Sequence, residues 1–184
     1  MKLMDRLCLA KNQRKQIAAA RPRLFRVALA WCGDAMLADD LVQETLAHGL
    51  QKVHQLRDPE RLNAWLYSIL NNCWKQYLRC NRPHEDLDEE RACDGPIPEA
   101  AVGQQQTVTR VRNAVAGLPA DQRMVLALVD LEGLAYGEVA VILDIPIGTV
   151  MSRLHRGRKS LLARLESQPA AATPGRAPSL KRVK

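Results

Sequence analysis

The densest run of chemically capable side chains lies near the C-terminal end of the chain: Ser152, Arg153, His155, Arg156, Arg158 and Lys159. All can donate hydrogen bonds, and four are cationic at neutral pH. A guanidinium can bond guanine bidentately in the major groove, and Arg or Lys placed elsewhere neutralises phosphate. Bond-making chemistry has far less support. Asp39-Asp40 is a close carboxylate pair without partners, and no nucleophile–base pair, Gly-rich phosphate loop or metal cluster accompanies it. An enzyme is therefore not expected. The five cysteines, Cys8, Cys32, Cys73, Cys80 and Cys93, are odd in number and form no CxxC. Cys32 and Cys73 read as small buried hydrophobes. Cys80, His84 and Cys93 are too irregularly spaced for a zinc site, so neither metal nor cofactor is expected.

A basic face reads DNA only if something rigid presents it. Tyr136–Leu143 reads as a short helix, Asp144–Gly148 as a break, and about Thr149 to Glu166 as a long helix. Val139, Ala140, Ile145, Val150 and Leu154 are spaced to lock these two helices together, with Ala140 small at the close approach. Leu161 and Leu165 continue the inward face. This pattern is a helix-turn-helix, whose second helix enters the major groove. Upstream, Val108, Val111 and Val115 mark a helix ended by Gly117-Leu118-Pro119. Asp121 is expected to cap the next, which carries Met124, Val125, Leu128, Val129 and Leu131 and closes at Gly133.

A second unit precedes this one. Pro22 suits a first helical turn, and Leu24, Phe25, Ala28, Trp31 and Cys32 form an apolar stripe ended by Gly33-Asp34. A helix from about Ala35 to His54 buries Leu37, Leu41, Val42, Leu46, Leu50 and Val53. Pro59 breaks the period. A third helix places Leu62, Trp65, Leu66, Ile69, Leu70, Cys73 and Tyr77 inward, with Asn63, Tyr67, Ser68, Asn71, Asn72, Lys75, Gln76 and Arg79 opposite. The expected fold is all-α. Two small helical domains, 21–80 and 108–167, are joined by a flexible acidic linker, 81–107. Residues 1–20 form a basic, frayed or short helix, and 168–184 a disordered basic tail.

Charge is distributed to match. Residues 1–34 carry eight Lys/Arg against two acids, 81–107 two against seven, and 168–184 four against none, within a formal total of +7. Basic ends around an acidic middle suit a polyanionic partner. No export signal or membrane-spanning run is visible, and the odd cysteine count fits a reducing cytoplasm.

Two motif blocks together resemble a known family. Asp39-Asp40-Leu-Val-Gln-Glu-Thr-Leu, then Asn63-Ala-Trp-Leu-Tyr-Ser-Ile and Asn71-Asn72, resembles region two of bacterial sigma factors. Leu118-Pro, Gly133-Leu-Ala-Tyr-Gly-Glu-Val-Ala and Ile147-Gly-Thr-Val-Met-Ser-Arg-Leu resembles region four. The order, and the absence of a third domain, is similar to the small extracytoplasmic-function group over about residues 20–167. The resemblance implies a factor that binds core RNA polymerase, through the β′ clamp helices and the β flap, and directs promoter recognition. Asp39, Asp40, Gln43 and Glu44 would meet polymerase. The segment Leu56–Leu62, with Leu56, Arg57, Asp58 and Arg61, would capture an unstacked base of the minus-ten element, and Asn63, Tyr67, Asn72 and Lys75 would line the strand. The minus-thirty-five element would meet Thr149, Met151, Ser152, Arg153, His155, Arg156, Arg158 and Lys159, with readout assigned to Ser152, Arg153 and Arg156. An anti-sigma factor is an implied partner.

Some positions depart from that family. Met151 stands where a basic residue is usual, which removes one groove or phosphate contact. Ala135 replaces a common Ser cap and Gly137 a common acid, weakening the first motif helix. Trp74 replaces a smaller residue; it either packs inward, the favoured reading, or extends the aromatic surface available to a strand. Unstacking one base costs a few kcal/mol and stacking returns roughly 1–3 kcal/mol, so melting depends on polymerase contacts. The rivals are an ordinary helix-turn-helix regulator, which binds duplex tightly without polymerase, and a metal-dependent nucleic-acid-processing enzyme.

Overall fold

The computed structural model describes residues 12–56, 58–81 and 104–167, which contain helices and turns and no strand. The expected linker falls largely on 82–103 and the expected tail on 168–184, both outside the described residues. A helix over 12–19 (α1) leads into α2 (Arg21–Cys32), α3 (Ala35–Lys52) and α4 (Leu62–Cys80). Short 3-10 turns at Val53–Gln55 and Pro59–Arg61 connect α3 to α4. The second unit comprises α5 (Gln104–Ala116), α6 (Ala120–Leu126) running into a π-helical turn (Ala127–Leu131), α7 (Tyr136–Leu143) and α8 (Ile147–Ser167).

Local chemistry sets the helix ends. Pro22 lies in the first turn of α2, and Gly33, at φ 75°, ends that helix in the left-handed region. Asp34 then caps α3, its carboxylate accepting the N–H groups of Met36 (2.7 Å) and Leu37 (3.2 Å). Asp121 does not cap α6 as expected; Pro119 holds that position and Asp121 lies in the first turn. The weakened start of α7 is partly repaired, because Glu138 accepts the Ala135 N–H at 3.0 Å.

The core of the first unit begins earlier than residue 21. Ile17 of α1 is fully buried with Leu24, Val27, Trp31, Val42, Leu66 and Leu70. The buried stripe of α3 is also turned from the expected one. Ala38, Leu41, Val42, Thr45 and Gly49 face inward, whereas Leu50 is exposed. Small residues win this face because α4 lies very close. A Cβ on Gly49 would stand 2.9 Å from Leu66 Cδ2 and 3.7 Å from Ile17 Cγ2. Gly49→Val is expected to destabilise the protein by about 1–3 kcal/mol through overpacking. Gly49→Ala should cost less, since its helix propensity of about 1 kcal/mol offsets part of the crowding. Thermal unfolding followed by circular dichroism checks this; a valine variant as stable as the parent would refute the close packing.

In the second unit, Val125, Leu128, Val139, Ile142, Val150 and Leu154 form the buried centre. Val108 and Val111 are exposed, and Ala114 makes the inward contact instead. The π-helical turn shifts the helical phase by about one residue, which carries Leu131 out to 51% exposure. It also sends Asp130 toward α8 and Glu132 toward α2. The two units are packed together. Their buried apolar residues form one cluster, with α4 against α7 and α2 against α6.

Candidate nucleic-acid interface

Helix α8 presents its polar side because Val150, Leu154 and Gly157 occupy the inward line. At about 100° per residue, Ser152, His155, Arg156 and Lys159 project to the opposite side, and all four are exposed. Arg153 and Arg158 project to the flanks of the same helix, and there they meet acids. Arg153 Nε is 3.1 Å from Asp121, and Arg158 grips Asp130 through two nitrogens at 3.1 and 2.5 Å. That pairing with Asp130 raises the Arg158 pKa. Arg158 is thus exposed yet paired, and Arg153 is half-buried and paired. Arg156 is exposed, and among the described residues it makes a 3.3 Å bond to the Ser152 carbonyl. Met151 is 49% exposed and Thr149 is half-buried.

The residues expected along the minus-ten strand divide into two groups. Asp58, Arg61, Asn63 and Asn72 are exposed and Leu56 is half-buried, while Arg57 lies outside the described residues. Tyr67 is only 2% exposed, and Asn71, placed on the same polar side from the sequence, only 1%. The correction has a physical cause: the second unit covers this face. The Tyr67 hydroxyl donates to Glu132 at 2.6 Å, Asn71 Nδ2 to the Ile142 carbonyl at 2.9 Å, and Lys75 Nζ to the Leu143 carbonyl at 3.3 Å. Arg23 (2.9 Å) and Arg26 (3.0 Å) close on the same Glu132 carboxylate, whose side chain is 1% exposed. Burial, and then the Glu132 hydrogen bond, push the Tyr67 phenol far above its ordinary pKa, so it acts as a donor. Nothing in the sequence pattern marks Glu132, which sits at the end of a π-helical turn.

A cavity of about 640 Å³ lies at the same junction. Leu56, Asp58, Arg61, Trp65 and Ser68 line one wall; Gly137, Glu138, Val141 and Ile142 of α7 line the other. Trp74 packs inward as expected, 6% exposed and stacked on Tyr77 with ring centroids 5.7 Å apart. Tyr77, expected inside, is 36% exposed.

On α3, Asp40, Gln43 and Glu44 are exposed. Asp39 is half-buried and engaged, 2.5 Å from Arg21 and accepting a bond from Gln43 at 2.8 Å. His84 and Cys93 lie outside the described residues.

Two packed helical units, one presenting a basic helix-turn-helix and the other an acidic helix face, have the architecture of a DNA-binding transcription factor. Residues 17–84 match the family Sigma-70 region 2, and residues 109–161 match Sigma-70, region 4. The ECF RNA polymerase sigma factor EcfG of Rhodopseudomonas palustris is 36% identical over 160 residues, covering 85% of this chain and 87% of that protein. The ECF RNA polymerase sigma-E factor of Escherichia coli is 32% identical over 134 residues, covering 66% and 70%. Among solved structures, the sigma factor RpoE of Bartonella quintana, in complex with the anti-sigma factor NepR, superposes with a TM-score of 0.67. It shares 26% identity over 86% of this chain and 99% of that one. The fold is shared too with CnrH, solved with the cytosolic domain of CnrY, at a TM-score of 0.62 and 22% identity over 88% and 97%. The chain belongs to the extracytoplasmic-function sigma factors of the sigma-70 family. It serves promoter recognition and transcription initiation with RNA polymerase. Among the described residues, no helix is long and apolar enough to cross a membrane.

Proposed function

We propose that α8 reads the minus-thirty-five element, that Leu56–Leu62 and α4 take the minus-ten strand, and that exposed Asp40, Gln43 and Glu44 of α3 meet the β′ clamp helices. Asp39 steadies α2 against α3 beside them, and the second unit meets the β flap. The observation that carries this reading is the exposed stripe Ser152, His155, Arg156 and Lys159, set opposite the buried line of α8. Arg153 and Arg158 are restrained on its two edges, where phosphate can compete with Asp121 and Asp130 for them. Arg156 takes the central readout role.

Binding titrations on matched and single-mismatch duplexes, at several salt concentrations, test this. Arg156→Ala is expected to cost roughly 1–3 kcal/mol and to relax preference at one base pair. Uniform weakening, with the salt slope smaller by about one unit, would place Arg156 on phosphate instead. No change in either quantity would refute placement of this face in the groove.

The packed arrangement is proposed as the resting form of the free protein. Promoter elements about 25 base pairs apart are separated by roughly 85 Å, at about 3.4 Å per pair. Units in direct contact cannot read both. The chain between Asn81 and Gln104 spans at most roughly 80 Å when extended, enough for the units to part. An anti-sigma factor is proposed as a partner that acts on this equilibrium. One solved relative, the sigma factor RpoE, is bound to the anti-sigma factor NepR, and CnrH is solved with the cytosolic domain of CnrY. Val141, 79% exposed on α7 beside the cavity, offers an apolar handle here. The cytoplasm, where the polymerase works, is the proposed location.

A further inference from the structure

Glu44 and His48 stand one turn apart on α3, and Cys73 faces them from α4. One ligand atom of each lies within 4.8 Å of the others. Glu44 Oε1 and His48 Nε2 are already 3.6 Å apart. Around a tetrahedral zinc-class ion, with bonds of about 2.0–2.3 Å, neighbouring donors are separated by roughly 3.3–3.6 Å. Small rotations of the two α3 side chains, which are 44% and 40% exposed, would close the set. Cys73 is 4% exposed and forms the floor. The close approach of α3 and α4 around Gly49 allows its sulfur to reach across. His48 presents Nε2 to Glu44, while its Nδ1 is buried and has no hydrogen-bond partner among the described residues.

We propose that Glu44, His48 and Cys73 form a binding site for one zinc-class divalent cation, with the fourth position open to water. The donor chemistry selects the ion. A thiolate and an imidazole favour zinc-class metals over calcium or magnesium, which take oxygen donors. Binding displaces the Cys73 thiol proton to solvent. The resulting thiolate and the Glu44 carboxylate then balance the two positive charges of the ion. Burial raises the pKa of the free thiol. A filled site staples α3 to α4 and neutralises Glu44 one turn from Asp40. Resting on the polymerase-contact reading above, it would weaken retention of core polymerase.

Cobalt(II) titration of the full chain is the test. One equivalent should produce a near-ultraviolet thiolate-to-cobalt band with tetrahedral visible bands, and zinc should abolish both. Cys73→Ser and His48→Gln should each weaken cobalt binding by at least about a hundredfold. A variant keeping Cys73 as its one cysteine should bind like the parent. Because His48 is half-exposed, His48→Gln leaves the fold intact should Cys73→Ser perturb it. Absent bands, or bands that survive both substitutions, would overturn the site. Zinc should also reduce polymerase retention for the parent and not for His48→Gln. Zinc binding with unchanged retention would overturn the coupling alone. Should Asp40→Arg also leave retention unchanged, the polymerase reading fails while the cation site stands.

Discussion

Glu132→Ala is expected to part the two helical units of the free protein. One carboxylate, 1% exposed, takes bonds from Arg23 and Arg26 of α2 and from the Tyr67 hydroxyl of α4. Truncating the acceptor of a buried, charge-assisted network costs about 2–5 kcal/mol. The lower end applies here, because both arginines are about half exposed and regain water. A shift of about 2 kcal/mol moves the closed–open equilibrium roughly thirtyfold. The fold of the second unit should hold, since Glu132 bonds partners in the first. Energy transfer between dyes on exposed positions of α3 and α8 should fall, and free-protein binding to a minus-ten single strand should rise as Tyr67 and Lys75 are uncovered. Glu132→Gln, which keeps one acceptor oxygen and loses the charge, should lie between. Raised salt should open the parent in the same direction. An unchanged interdomain distance in Glu132→Ala would show that this network does not hold the units together.

Asp40→Arg is expected to abolish formation of the complex with core polymerase. Asp40 is exposed on α3 and forms no ion pair with the described residues, so its reversal removes nothing from the fold. Helicity and stability should change by no more than about 0.5 kcal/mol. A reversed charge against a complementary surface costs several kcal/mol, so retention should fall at least about a hundredfold. Asp39 is the poorer probe, since its pairing with Arg21 ties α2 to α3 and a substitution there confounds contact with folding. Pull-down of core polymerase, together with circular dichroism, checks the prediction. Undiminished pull-down would remove Asp40 from the polymerase face.

The all-α class, the helix-turn-helix and its inward line Val139, Val150 and Leu154 were legible because apolar residues recur at three- and four-residue steps. Gly33, Pro22 and Gly133 act over one turn, so their roles were legible too. Errors arose where packing or helix phase changed the pattern. Gly49 and Thr45 look like poor core residues, yet the closeness of α4 puts them inside in place of Leu50. The π-helical turn carried Leu131 outward, a shift that regular periodicity does not encode.

For the candidate site, sequence determined which residues share a helix and, within about 60°, which way they point. Arg153 and Arg156 were therefore placed together on one side. Only the tertiary structure decided that Arg153 and Arg158 flank the buried line, where Asp121 and Asp130 reach them, while Arg156 has no acidic partner among the described residues. Tyr67 and Asn71 read as a solvated face because a helix pattern records polarity and not what another unit lays over it. Glu132 reaches Tyr67 across 65 residues, and Cys73 meets Glu44 and His48 from a different helix. Local sequence fixes local backbone and facing through short-range sterics and burial. Partners that distant are chosen only when the helices pack, and that is where the closed interface and the proposed cation site arise.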